Sequence, residues 1–317
     1  MLKIDITANE APQRIDRFLD KYLNNAGKSV IYRLLRKNIV RINGKRIKEN
    51  EILQIGDVVS ISLSDTQISE LQKEQPKFSA DRLNLEIIYE DDEILVVEKP
   101  VGILTHPDKS EYKNTLATLV QMYLAELCTK TFRPAPIQRL DKNTSGLVLF
   151  AKTYNALQFY NEQMRNRAIE KKYLAIVEGK IEKSGEVKGF LEKDERKNKV
   201  YLSQNEKDNT KFVWTEYSPK ETKKGFSLLE ITLHTGRSHQ IRVSMEYIGH
   251  NILGDPKYNE KCGIRNEKLK TAIPHSSLLT SHFSLQHQLL HAYKITLPDG
   301  RSFESKSERI MSFWSNL

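Results

Sequence analysis

Gln138-Arg139-Leu140-Asp141-Lys142-Asn143-Thr144-Ser145-Gly146, followed by Leu147-Val148-Leu149-Phe150-Ala151, decides how the rest of this chain is read. Five apolar residues in a row, entered from a small polar turn, are the pattern of a short strand buried on both faces. Asp141 stands just before the Thr-Ser-Gly bend, on a loop between rigid elements, where catalytic groups are usually presented. Arg139 and Lys142 flank it and favour its ionised form even under partial shielding from water. The plainer alternative is an aspartate capping a turn, with Gly146 supplying backbone freedom. Acidic turn residues are common, and on the physics of this stretch alone that alternative wins.

At 317 residues the chain has room for one large domain and a small one. Its 38% hydrophobic and 29% charged residues are those of an ordinary soluble globular protein. A net charge of +9 points to a polyanionic partner, although many basic proteins never touch nucleic acid, so the placement of the cations must decide. Cys128 and Cys262, far apart and without further ligands at metal spacing, argue against a zinc site or a disulfide framework. Met1 to Ile6 alternates like a strand without a signal-peptide pattern, and no apolar run approaches bilayer length. The expectation is a cytoplasmic protein, in which the acceptor-like Asn143-Thr144-Ser145 carries no meaning.

Between Ala11 and about Leu63, Ile15, Phe18, Leu19, Tyr22 and Leu23 recur at helical spacing. Ser29 is the expected N-cap of a second helix with Val30, Ile31, Leu34 and Leu35 inward. Ile39 to Ile47 reads as a hairpin around Asn43-Gly44, and Ile55 to Ile61 as a turn and strand. Lys28, Arg33, Arg36, Lys37, Arg41, Lys45, Arg46 and Lys48 therefore gather on one helix and the hairpin beside it. A solvated basic face is the bland account. The order helix, helix, hairpin resembles the S4 RNA-binding module over most of residues 12 to 62, and that resemblance implies that these cations meet RNA phosphates.

The polar, Pro-containing stretch from Ser64 to about residue 80 reads as a linker, giving an S4-like domain over 1–65, a linker over 66–80 and a large domain over 81–317. Beyond it, Leu85 to Tyr89 and Ile94 to Pro100 read as strands around an acidic turn at Asp91-Asp92, and Asn114-Thr115-Leu116 opens a helix. A helix over Tyr154 to Arg165 follows, then a strand over Glu170 to Gly179, exposed charged hairpins over 180–211 and a buried strand over Leu228 to Leu233. Several motifs in order resemble the RluA-type pseudouridine synthases: Lys99-Pro100-Val101-Gly102 with His106-Pro107, the signature around Asp141, Lys171-Lys172-Tyr173, the run His234 to Val243, Gly254-Asp255-Pro256-Lys257-Tyr258 and Leu290-His291-Ala292. The family signature usually begins His-Arg-Leu-Asp, whereas this chain has Gln138, and Ser244 replaces a common His. The resemblance implies an α+β fold: a small S4-like domain, then a mixed, mostly antiparallel synthase sheet with a central cleft.

It also implies chemistry. Isomerising uridine breaks the C1′–N1 bond, turns the uracil and joins C1′ to C5, with no redox change or group donor, so neither cofactor nor metal is called for. The resemblance assigns the reacting carboxylate to Asp141, either attacking C1′ or taking the 2′ proton. It nominates Arg242 as the cation beside Asp141, against the commoner fate of a strand-edge arginine in a surface pair. Tyr173 would stack on the base and is a candidate for proton removal at C5, against a plain core tyrosine. Arg139 would fill the gap left by the flipped uridine, and Lys171, Arg237 and His239 are assigned to substrate contact. Lys28 to Lys37 looks most like members acting on large-subunit ribosomal RNA, so the expected partner is that RNA or its assembly precursor, met by a monomer. A synthase acting on transfer RNA and a non-catalytic RNA-binding or ribosome-assembly protein are the rivals. A metal at His282, His287 and His291 lacks the zinc-protease glutamate, and a triad of His234, His239 and Asp141 lacks a nucleophile elbow.

Overall fold

The computed structural model of the chain describes residues 1–73, 85–108, 111–194, 199–258 and 285–317. In chain order the amino-terminal unit consists of β1 (Leu2–Asp5), β2 (Gln13–Arg14), α1 (Ile15–Tyr22), α2 (Lys28–Arg36), β3 (Val40–Ile42), β4 (Ile52–Leu53), β5 (Val58–Ile61) and α3 (Asp65–Glu70). Ile15, Phe18, Leu19 and Tyr22 of α1 meet Ile31, Leu34 and Leu35 of α2 over a three-stranded sheet in the order β1-β5-β3. The spacing by three and four puts all of these on one side of each helix, which is why the sequence pattern found them.

Three local expectations change. Gly27, not Ser29, is the N-cap of α2, without a side-chain cap, and Ser29 lies exposed in the first turn. Of the expected hairpin only the turn and Val40–Ile42 form: Asn43 and Gly44 both have positive φ, but β3 pairs with the distant β5 rather than with residues 46–47. The expected linker is helical at its start. Ser64 and Gln67 exchange side-chain and backbone hydrogen bonds in a capping box, and Ile68 of α3 joins the core of the small unit. Residues 74–80, Cys262 and His282 lie outside the described residues.

The large unit follows as β6 (Glu86–Glu90), β7 (Ile94–Lys99), α4 (Leu116–Tyr123), β8 (Ala135–Pro136), β9 (Ser145–Ala151), α5 (Tyr154–Arg165), β10 (Glu170–Glu178), β11 (Gly185–Asp194), β12 (Lys199–Ser203), β13 (Lys211–Lys223), β14 (Phe226–Leu233), α6 (Gln240–Tyr247), β15 (Leu290–Thr296), β16 (Ser302–Glu304) and α7 (Glu308–Ser315). Its 11-stranded sheet runs β12-β11-β13-β14-β10-β15-β9-β7-β6, with β16 on β15 and β8 on β9. β7 and β9 are buried on both faces, as their unbroken apolar runs require. Leu95, Val97, Val148 and Phe150 enter the core under α4 and α6, while Ile94, Val96, Leu147 and Leu149 enter the one under α5. The charged stretch over 180–211 holds β11 and β12, which pair antiparallel.

Every named pairing is antiparallel except that of β15 with β9, where His291 and Ala292 face Ser145 and Gly146. Gly146 has φ +116°, and a Cβ there would lie 2.3 Å from the carbonyl oxygen of Ala292. Only glycine allows the strand to leave the signature loop this close to β15. Gly146→Ala should therefore destabilise the fold by on the order of 4 kcal/mol, combining backbone strain with overpacking. Chemical denaturation checks this, and a loss below about 1 kcal/mol would refute it.

Candidate active site

Asp141 occupies the loop between β8 and β9, and its neighbours on both sides are clamped. The Thr105 hydroxyl accepts from the Leu140 N–H at 3.1 Å and donates to its carbonyl at 3.0 Å. The Lys142 carbonyl accepts from the Gly102 N–H at 2.9 Å and from Lys99 Nζ at 3.0 Å. Lys99 is completely buried and also donates to the carbonyls of Pro100 and Ile103, both at 2.9 Å. All three of its N–H donors are thus used on the two loops around Asp141. Burial pushes its ammonium down to about 7, and the Asp141 charge pulls the other way.

Arg242 stands on α6, a helix rather than the edge strand of the plainer alternative, and is 6% exposed. Its Nη1 donates to Asp141 Oδ2 at 2.9 Å. Its other edge holds Asp255 in a fork, Nε to Oδ2 at 2.7 Å and Nη2 to Oδ1 at 2.9 Å. The Asp255 side chain is fully buried, whereas that of Asp141 is 26% exposed. One guanidinium therefore bridges a structural carboxylate and a reachable one. The Tyr258 ring lies 5.0 Å from the guanidinium, and its hydroxyl is 2.9 Å from His239 Nδ1. Asp255 is itself set by accepting the N–H groups of Lys257 and Tyr258 at 2.9 and 3.2 Å.

Tyr173 on β10 is 6% exposed and packs in the same core as Leu140 and Ala292. Burial first, and the Asp141 charge second, raise its phenol well above the usual tyrosine range. The structure thus brings Asp141, Tyr173, Arg242 and His239 together. The His239 imidazole is lowered mainly by burial, with Asp141 opposing and Arg242 and Lys257 reinforcing that shift. Arg139 is exposed beside His106, whose imidazole is lowered by burial and then by the Arg139 charge. Arg237 is exposed on the loop before α6, with its N–H held by Gln240 Oε1 at 3.1 Å. Lys171 stands apart: its buried ammonium touches Met164 Sδ at 3.9 Å, and burial pushes it down to about 8.

Lys28, Arg33, Arg36, Lys37, Arg41, Lys45 and Arg46 are all exposed on the small unit. Arg33, Arg36 and Lys37 line one surface depression, and Arg36 and Arg46 share another with Arg14 and Lys48. The two departures from the family pattern are structural. Gln138 bonds the backbone of Leu147 and Leu149, and Ser244 lies 3.1 Å from the Thr215 hydroxyl in the core. His291 uses both nitrogens on the hydroxyls of Ser145 and Ser305, each at 2.8 Å, and burial pushes its imidazole down to about 4. Among the described residues no cluster of three metal-ligating side chains occurs.

Residues 93–247 match the model of the RNA pseudouridylate synthase family, and residues 13–59 match that of the S4 domain. The chain belongs to the RNA pseudouridylate synthase family: it is an RNA pseudouridine synthase, an isomerase, with an S4 domain at its amino-terminal side. It is 32% identical to ribosomal large subunit pseudouridine synthase C of Vibrio cholerae over 302 residues, which are 92% of this chain and 87% of that protein. The enzyme of the same name in Escherichia coli K12 is 35% identical over 81% of this chain and 80% of its own length. An uncharacterised RNA pseudouridine synthase of Chlorobaculum parvum is 34% identical over 81% of this chain and 78% of that protein. Among solved structures, human RNA pseudouridylate synthase domain containing 4 shares the fold with a TM-score of 0.54 at 22% identity, covering 72% of this chain and 93% of that one.

Asp255 and Tyr258 stand within one sequence motif and Lys99 within another, where the linear order assigns none of them a role.

Proposed function

We propose that the chain isomerises uridines in large-subunit ribosomal RNA with Asp141 as the reacting carboxylate and without cofactor or metal. The observation that supports this most is the single guanidinium of Arg242, locked by a fully buried Asp255 and offering its remaining edge to the reachable Asp141. Such a cation is preorganised and needs no rearrangement to pair with an anionic oxygen when RNA displaces water. The RNA class is supported by the names of the relatives from Vibrio cholerae and Escherichia coli.

In this reading Asp141 either bonds to C1′ or removes the 2′ proton to leave a glycal, and both routes cleave C1′–N1 and free the uracil. After the base turns, C5 joins C1′ as the Asp141–C1′ bond breaks or, from the glycal, as Asp141 returns the proton to C2′; the C5 proton then leaves and N1 gains one. No electrons enter or leave, so the chemistry needs no redox partner. Tyr173 supplies a ring to stack on the base. Arg139 fills the vacated stack, while Arg237 and His239 contact the substrate. The cations of the small unit bind phosphates, and the protein works as a cytoplasmic monomer on ribosomal RNA or its precursor.

Pseudouridine mapping of total RNA, with and without the gene, tests this reading. Loss of defined pseudouridines from large-subunit RNA is expected, restored by the wild-type gene and not by Asp141→Asn. Loss confined to transfer RNA, or none, overturns it. Neutralising Arg33, Arg36 and Lys37 together should flatten the salt dependence of RNA binding by roughly one unit of slope or slightly less per lost phosphate contact. An unchanged slope in a filter-binding titration would remove these cations from the RNA interface.

A further inference from the structure

The small unit is seated on the large one through a buried carboxylate that the isomerisation does not use. Glu10 is 5% exposed. Its Oε1 accepts hydrogen bonds from the hydroxyls of Thr131 at 2.7 Å and Thr129 at 3.2 Å, both on the turn that precedes β8. Its Oε2 accepts from the backbone N–H and hydroxyl of Thr7 within its own unit. The carboxylate therefore ties two chain segments that are about 120 residues apart, and among the described residues no cation hydrogen-bonds to it.

Two cations cross the same junction in opposite directions. Lys21 of α1 lies 4.7 Å above the Tyr154 ring at the start of α5, and Lys130 of the large unit lies 5.2 Å from the Tyr22 ring of α1. Lys130 also donates to Gln72 Oε1 at 3.2 Å, just beyond α3. Such reciprocal pairs fix a relative orientation, because each cation must meet a ring whose own unit is rigid. Phe132 and Tyr154, packed edge to face on the large unit, are 4% and 7% exposed with the small unit in place. Across the junction the Tyr154 N–H also donates to Asn9 Oδ1 at 3.4 Å.

We propose that Glu10 is the centre of an intramolecular latch that holds the S4 unit on the turn over residues 129–132, so that its basic face and Asp141 engage RNA as one surface of fixed span. The span then selects RNAs in which a phosphate-bound helix and the target uridine are separated by that distance. This second part rests on the proposed RNA function; the latch itself does not.

The test uses the full chain. Small-angle scattering without RNA is compared for wild type, Glu10→Lys and Thr131→Val, and the Michaelis constant is measured on a long ribosomal RNA fragment and on a short stem-loop holding only the target. Glu10→Lys also removes the bonds to Thr7, whereas Thr131→Val leaves those intact and so guards against mere misfolding of the small unit. A larger radius of gyration is expected in both variants. The Michaelis constant on the long fragment should rise about tenfold, as a fixed contact becomes a tethered one, with the short stem-loop unaffected. Superimposable scattering in both variants would overturn the latch. Opened scattering with an unchanged constant on the long RNA would overturn the fixed-span role.

Discussion

Asp141→Asn should fold, bind RNA with wild-type affinity and form no pseudouridine above the background set by deamidation. The amide keeps the shape of the carboxylate but has no anionic oxygen to bond to C1′ or accept the 2′ proton. Arg242 remains paired to Asp255 in the fork, so no buried charge is stranded. The lost contact involves a side chain that is 26% exposed, so the stability change should stay within about 1 kcal/mol. A single-turnover assay with excess enzyme reads chemistry apart from binding. Turnover by this variant that persists in freshly purified, deamidation-free protein would remove Asp141 from the reaction.

What the sequence disclosed, and what it did not, follows the reach of the interactions. Helices α1 and α2 were legible because Ile15, Phe18, Leu19, Ile31 and Leu34 encode their buried faces within a few residues. The strand after the signature was legible for the same reason. The start of α2 was misplaced because a serine at an expected cap position competes with a glycine two residues earlier that has the required extended backbone. The hairpin failed because residue 40 finds its strand partner at residue 61, not at 46 or 47. Helix α6 was available in principle: Ile241, Met245 and Ile248 are spaced by four and three and enter one core, while Val243 faces another. Asp255 lies 13 residues from Arg242, and nothing in the linear order says that it would sit beneath the guanidinium. The seating of the small unit was likewise hidden, since Glu10 meets Thr131 across 121 residues.

Arg242→Met is expected to lose both turnover and stability, and the two losses can be separated. Methionine fills much of the space of the arginine stem but leaves Asp255, whose side chain is fully buried, without a cation. Stranding a buried carboxylate in this way costs about 3–5 kcal/mol. Adding Asp255→Leu removes the stranded charge and should recover part of that stability. Recovery is incomplete because Asp255 also accepts the N–H groups of Lys257 and Tyr258. The double variant should nevertheless remain inactive, since Asp141 still lacks the preorganised cation. Arg242→Lys tests the fork itself: one ammonium cannot serve both edges of Asp255 and also reach Asp141, so turnover should fall although the charge is kept. Denaturation midpoints and single-turnover rates on these three variants decide the matter. If the double variant regained activity along with stability, Arg242 would be a structural strut for Asp255, and the electrostatic support of Asp141 would have to come from other cations such as Lys99 and Lys257.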